Sequence, residues 1–430
     1  MGPAFSLAST LGVMVAVSGS LALPALAATT VVMVLLALTF TQLAARYPDA
    51  GSSYGWARRA FGESAGTYTA WILLLANFFA VLATAIPAGS YTLALVAPKL
   101  VDNAAWDAGV GAAWTVACAL ILHLGIRSSA RVAAALLIAE LIVLGASAVA
   151  GAMVAPHLSA GAPAPQMLGA SGFVAAMVLA IWMVDGWEVS ASASEETRRA
   201  PRTAGQGGVV GLLVTAAFLF ACSAAYLHAG GIAGLSSHQL DALAFVGARL
   251  GGVWRTLLVI TVLVSLTASL ETTLLYLVRS VYAMGRDGVL PTALGRLGES
   301  THDPDVSLVA VTIASLLAML LVAFVPSADA GLSLVLDGTA VFLGILFLTS
   351  CAAALRLRAQ EDGPKDTPLY AATAGLALIV ILFIAVAQAA PATRACVIAG
   401  IVLGIPLALA PRMRRRFGKV EGPAARNIGG

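Results

Sequence analysis

The feature that most constrains this chain is the recurrence, from one end to the other, of apolar runs long enough to cross a lipid bilayer. Short breaks rich in Pro, Gly, Ser or charge separate them. A helical span needs about 20 mostly apolar residues, and about twelve such runs fit into the 430 residues. They lie at roughly 3–18, 22–45, 65–95, 109–125, 132–154, 171–194, 208–228, 252–284, 307–325, 331–355, 371–389 and 392–411, the first being short. Composition agrees: 60% of the residues are hydrophobic and only 10% are charged, too few to wet a soluble surface of this size. Because lipid offers no hydrogen bonds to the backbone, the expected fold is an all-α polytopic membrane protein.

Charge placement orients the spans. With these breaks, 20 of the 24 basic residues fall on one side, and only Lys99, Arg249, Arg255 and Arg394 on the other. The basic side reads as cytoplasmic, which places both termini there in a multi-pass protein of the cytoplasmic membrane. Residues 1–411 are expected to form one transmembrane domain, with 412–430 a basic cytoplasmic tail. The segment 47–54 reads as a turn-rich cytoplasmic link, and 230–250 as a longer outer loop holding a short surface helix. A net charge of +3 gives no reason to expect nucleic acid. Cys118, Cys222, Cys351 and Cys396 all lie in apolar stretches, without metal or disulfide spacing. The five histidines are scattered and form no H-E-x-x-H, which argues against an intramembrane enzyme. The start, MGPAFSLAST, lacks the basic residues of a secretory signal.

An ionisable side chain inside a bilayer is costly, so each one is a functional candidate. Glu140, Asp185, Glu188, Glu271 and Asp337 are the acids in the runs, and no Lys or Arg lies deep enough to pair with them. The run containing Trp182, Met183, Val184, Asp185, Gly186 and Trp187 is the most irregular. A break at Asp185-Gly186 would bare backbone groups at mid-membrane depth, which is tolerated where they line a cavity or meet protein. Gly2-Pro3 is a matching weak point at the start of the first run. Paired interruptions of this kind point to a transporter site between inverted repeats, here about 1–154 and 171–357. Asn77 in the third run is polar enough to bond a solute. Ser265, Thr267, Ser269, Glu271, Thr272 and Thr273 cluster in the eighth; their hydroxyls suit Na+, whereas Glu271, Glu140 or Glu188 could carry a proton, and the two readings stay open.

Three motifs then resemble the amino acid-polyamine-organocation superfamily of permeases. Residues 46–54, RYPDAGSSY, look like its P-x-A-G-[GS]-x-Y signature; DGWE at 185–188 followed by SEET at 194–197 resembles its sixth-span signature; RSVYAMGRDGVLP at 279–291 is similar to R-x-x-Y-A-M-x-R-D-G-x-L-P. The resemblance implies a five-plus-five inverted repeat with two further helices, broken helices one and six, and alternating access. It implies a secondary transporter of amino acids or related amines. The alternatives are a polyamine-selective permease or exchanger, and a non-transporting amino acid sensor on the same fold. A substrate carboxylate would meet amides around Gly2, Pro3 and Ala4, and its amino group carbonyls around Met183–Gly186. Family members carry sequence before the position of Gly2-Pro3, so the first helix reads as truncated and the true start as lying upstream. The expected partners are a small amino acid or polyamine and the bilayer, with no cofactor and no metal.

Overall fold

The computed structural model describes residues 2–101, 103–155, 169–196, 201–239, 241–299, 303–322, 328–359, 367–388 and 391–417. Among these residues the regular elements are helices and no strand occurs. The chain opens with α1 (Pro3–Ser6), a π-turn at Leu7–Leu11, and α2 (Gly12–Ser18). There follow α3 (Ala22–Arg46), α4 (Ser53–Phe61), α5 (Glu63–Val96), α6 (Ala104–His123) and α7 (Ile126–Met153). Next come α8 (Gly169–Met183), α9 (Val189–Ser192), α10 (Pro201–Ser237), α11 (Ala242–Leu250) and α12 (Trp254–Arg286). The last are α13 (Asp305–Val322), α14 (Ala328–Arg358), α15 (Thr367–Gln388) and α16 (Pro391–Phe417).

Seven described segments are long and apolar enough to cross a bilayer, and Gly169–Met183, Asp305–Leu321, Pro368–Phe383 and Thr393–Leu409 are shorter apolar helices. The first long segment, Pro3–Arg46, has 44 residues. As one straight helix it would reach about 66 Å, roughly twice the hydrocarbon thickness. It is broken at Gly19 (φ 59°, ψ −124°), a conformation that glycine adopts without steric cost. Both α2 and α3 pack on α8 and α10. The result is an all-helical, polytopic membrane architecture.

Two runs differ from the expected simple spans. The sixth is divided at residues 184–188, between α8 and α9. The seventh is part of a longer helix, α10, which turns at Gly231 (φ 65°, ψ 167°). The short helix expected in the outer loop is α11, but Leu243 and Val246 on it are fully buried, so it is packed rather than floating on the surface.

Centre and periphery separate by side-chain exposure. Helix α5 packs against α6, α12, α14 and α16, and α12 against α5, α6, α7 and α11. By contrast α7, α13 and α15 turn large apolar side chains outward, including Ile142, Leu321 and Phe383. Such a surface suits acyl chains, where outward apolar groups lose nothing. Small residues bring α5 and α6 together: a Cβ on Gly89 would lie 2.0 Å from Asp107 O, and one on Gly111 2.4 Å from Ala85 O. Gly111→Leu is therefore expected to destabilise the bundle by about 3 kcal/mol through overpacking against backbone, read as a fall in thermal midpoint. Gly109→Leu is the control and should leave the midpoint unchanged, because a Cβ at Gly109 meets nothing within 4 Å.

Candidate substrate site

The interruption after α8 is built by glycine and closed by a side chain. The helical ladder ends with Val184 N–H donating to Ala180 O at 3.2 Å. Gly186 then takes φ 100°, a region that L side chains rarely occupy. Its N–H donates to Glu188 Oε2 at 3.0 Å, so a carboxylate two residues on replaces the missing carbonyl. Ala191 N–H returns to Glu188 O at 2.9 Å and starts α9. One oxygen of Asp185 is buried with no hydrogen-bond partner among the described residues, as is Trp182 Nε1.

This break opens onto a cavity of about 60 Å³. That holds only about four waters, so the bundle is nearly closed around it. Of the expected residues, Gly2, Asn77, Trp182, Asp185, Gly186, Glu188 and Ser269 line it together. Asn77 is held by its Nδ2, which donates to Leu73 O at 2.9 Å. Trp182 meets Phe5 edge to face with ring centroids 6.5 Å apart. Met183, Val184 and Trp187 are not in the lining but in the apolar core. Trp187 packs edge to face on Phe40 at 5.0 Å and stacks on Phe347 at 5.6 Å, so its ring fixes the break from behind.

The start of the first span is already partnered by protein. Ala4 N–H donates to Glu140 Oε1 at 2.5 Å, and Phe5 N–H to Ser265 Oγ at 3.1 Å. Pro3 has no N–H, so of the Gly2, Pro3 and Ala4 amides only that of Gly2 is not accounted for in this way. Glu140, on α7, thus reaches the first span directly, and its Oε2 is buried without a partner among the described residues.

Helix α12 sorts its polar residues by face. Ser265 and Ser269 approach Gly2, where a Cβ would lie 2.7 and 2.1 Å from their hydroxyls. Ser269, Thr272, Thr273 and Tyr276 line the cavity, at the spacing of one helical face. Thr267 and Glu271 are outside that lining. Thr267 Oγ1 bonds back to Leu263 O at 2.9 Å, and Glu271 Oε1 accepts from Ser129 Oγ. The side chain of Asp337 lies outside the described residues. Tyr276, Thr84 and Leu343 were not singled out from sequence. The first falls on the Ser265–Ser269 face and is found by helical period, whereas Leu343 carries no signal in a chain this apolar.

The three sequence motifs meet at the arginine-rich end of the bundle. Asp49 N–H donates to Ser194 Oγ at 3.2 Å and Ala50 N–H to Glu195 Oε1 at 3.0 Å. Glu195 pairs with Arg286 at 3.0 Å, and Asp287 with Arg58 at 2.6 Å. Tyr54 Oη also donates to Asp287 Oδ2, at 3.0 Å. Ser52 shares a hydrogen bond of 2.9 Å with Tyr276, and Ser350 Oγ donates to Ser53 Oγ at 2.8 Å. Burial pushes the Asp49 carboxyl up to about 6; Gly51 N–H opposes this, Glu195 and Asp287 add to it, and Arg286 opposes it.

The geometry is that of a polytopic helical bundle with a small cavity at a helix break. The chain belongs to the amino acid permease family, which it matches over residues 1–403. It is 26% identical over 377 residues to the branched-chain amino acid permease BcaP of Lactococcus lactis subsp. cremoris (strain MG1363), covering 81% of this chain and 78% of that one. BcaP of Bacillus subtilis (strain 168) is 27% identical over 368 residues, covering 81% and 76%. The uncharacterized amino acid permease YecA of Bacillus subtilis (strain 168) is 25% identical over 338 residues, covering 75% and 74%. The family makes this a transport protein for amino acids rather than an enzyme.

Asp49 supplies a pH signature for the motif cluster. The folded protein binds its proton more tightly than the unfolded chain, so this contribution to stability is full below about pH 4 and is lost as pH rises through about 6. Asp49→Asn keeps an oxygen for Gly51 N–H, which Asp49 Oδ1 accepts at 2.7 Å. The variant is expected to show a flatter dependence of thermal midpoint on pH between about 4 and 7 than the parent.

Proposed function

We propose that this permease is a secondary transporter that moves an aliphatic amino acid across the cytoplasmic membrane by alternating access, with the substrate held at the break between α8 and α9. The observation that carries this reading is the cavity that brings Asp185 and Gly186 of the break together with Gly2, Asn77 and Ser269. In this assignment Asp185 receives the substrate ammonium, and Phe5, Ala80, Trp182, Val189 and Leu343 form the apolar wall for its side chain. That wall, and the naming of two relatives as branched-chain amino acid permeases, support leucine, isoleucine and valine as the substrate class. The small volume supports a closed state between two open ones.

In the same reading the chain crosses the membrane twelve times with both ends cytoplasmic. Residues 1–154 and 171–357 are the two inverted repeats, 371–411 the two extra helices and 412–430 the basic tail. Support comes from the irregular backbone at the head of both repeats, at Gly2 and Leu7–Leu11 and again at residues 184–188. Among the coupling candidates Glu140, Glu188, Thr267, Ser269 and Glu271, we assign the coupling proton to Glu140. It touches the first span through Ala4 N–H, so its charge bears on the element that must move. Glu188 is spent on Gly186, and Glu271 is bonded to Ser129 away from the cavity.

A second reading, a polyamine-selective permease or exchanger, is favoured by Asp185 and Glu188 both lining a cavity that has no Lys or Arg in its described lining. Counterflow in proteoliposomes separates the two: exchange of labelled leucine, isoleucine or valine supports the first, and exchange of putrescine alone the second. Asp185→Asn is expected to weaken leucine binding about tenfold or more, the worth of a hydrogen bond to a charged group. Unchanged uptake and selectivity would refute the assignment of Asp185. Glu140→Gln is expected to keep leucine counterflow while losing accumulation driven by a proton gradient.

A further inference from the structure

We propose that Tyr276 and Ser52 form a latch that couples the central cavity to the loop at the arginine-rich end, and that breaking their hydrogen bond opens the site toward that side. This rests on the reading of the cavity as the substrate site.

Tyr276 is a single side chain with two contacts. Its ring is part of the cavity wall, together with Asp185 and Glu188 of the break. Its hydroxyl is bonded to Ser52 Oγ at 2.9 Å, in the segment 47–54. Both residues are buried, Tyr276 at 1% and Ser52 at 0% exposure, so water does not replace the bond while the bundle is closed. On α12, Tyr276 comes one turn after Thr272, at the end of the cavity face and before Arg279 and Arg286. The loop 47–54 therefore lies next along the path from the cavity to the basic end.

The backbone of Ser52 is a second, independent observation. Its φ of 41° is the one positive value at a non-glycine residue among the described residues. An L residue there costs about 1–3 kcal/mol and persists only where its surroundings hold it. Those surroundings are Asp49 O, which accepts Ser52 N–H at 2.9 Å, Trp56 N–H, which donates to Ser52 O at 3.0 Å, and the Tyr276 hydroxyl. A glycine would meet the backbone requirement without cost but would offer no hydroxyl. Serine at this position makes sense if the hydroxyl is needed. The rest of the loop is fastened to parts that belong to the permease frame, through Ser194, Glu195, Asp287 and Ser350. Among the described residues these bonds leave the Tyr276 hydroxyl as the link from the loop to the cavity wall, made to Ser52 at 2.9 Å with the Ser53 hydroxyl as a further partner, so a substrate pressing on Tyr276 acts on the loop through it.

The test is the rate at which a membrane-impermeant thiol reagent modifies a cysteine placed at Thr272, in inverted membrane vesicles that present the arginine-rich end. The parent protein with its own four cysteines is the blank. Losing one hydrogen bond should shift the closed-to-open balance about fivefold. Tyr276→Phe is expected to raise the rate about fivefold, Ser52→Ala to raise it by up to that amount because Ser53 remains a partner, and the double variant no further than Tyr276→Phe, because the tyrosine hydroxyl is common to both bonds. Ser52→Gly should raise it as well, with a thermal midpoint no lower than the parent's, which separates unlatching from poor folding. Tyr54→Phe, which removes the bond from the same loop to Asp287 and does not touch Tyr276, should label at the parent rate. Parent rates in Tyr276→Phe and Ser52→Ala, additive effects in the double variant, or equal acceleration by Tyr54→Phe would each overturn the latch. Leucine should slow labelling in every variant. If it slows none, the substrate-site reading fails while the unprotected rates still decide the latch.

Discussion

A peptide group inside a bilayer must find its hydrogen bond within the protein, and nearly everything specific about this permease follows from the places where the helical ladder does not supply one. At the break after α8, Glu188 takes the N–H of Gly186. At the start of the first span, Glu140 takes that of Ala4 and Ser265 that of Phe5. Glu188 and Glu140, which look anomalous in an apolar chain, are thus substitutes for backbone carbonyls. They also bring α7 and α12 onto the first span, so the requirement that closes the backbone assembles the cavity.

This explains which parts of the molecule were legible in the sequence. The places of most helices followed from the apolar runs, but their extents did not: where 171–194 and 208–228 read as single spans, α8 stops at Met183 and α10 runs from Pro201 to Ser237. The position of the break followed from Asp185-Gly186, where a charge and a glycine coincide. Trp187 was harder. Beside the break, an indole is as suited to a cavity as to a core, and only the rings of Phe40 and Phe347 determine that it packs inward. Thr267 and Glu271 were grouped with Ser269 by nearness in sequence. The helical period sends Ser265, Ser269, Thr272 and Tyr276 to one side and Thr267 and Glu271 to another. Leu343 contributes a wall that no single apolar position could announce.

The three motifs show a different kind of legibility. Each was recognisable alone, but nothing in their spacing says that they meet. They do so because loops at one end of a bundle converge when helices return to the same side. Once there, polar groups that would be costly singly satisfy one another: Glu195 accepts from Ala50 N–H and pairs with Arg286, and Asp287 serves both Arg58 and Tyr54. An exposed ion pair is worth little, about 0–1 kcal/mol, so the value of this cluster is geometric rather than a large store of stability.

Charge balance within the cavity narrows the proposed chemistry further. Asp185 and Glu188 line the same small space, and a zwitterion brings only one ammonium to it. Two equivalent carboxylates would leave a surplus of negative charge in a medium that tolerates it poorly. They are not equivalent. Glu188 is engaged by Gly186 N–H, within its own segment, and shares a hydrogen bond with Asp185, while the other oxygen of Asp185 has no partner among the described residues. In the proposed reading the first holds the break in shape, and the second is left for a cation. A diamine offers a second ammonium, which would have to share Glu188 with the Gly186 amide that keeps the backbone open.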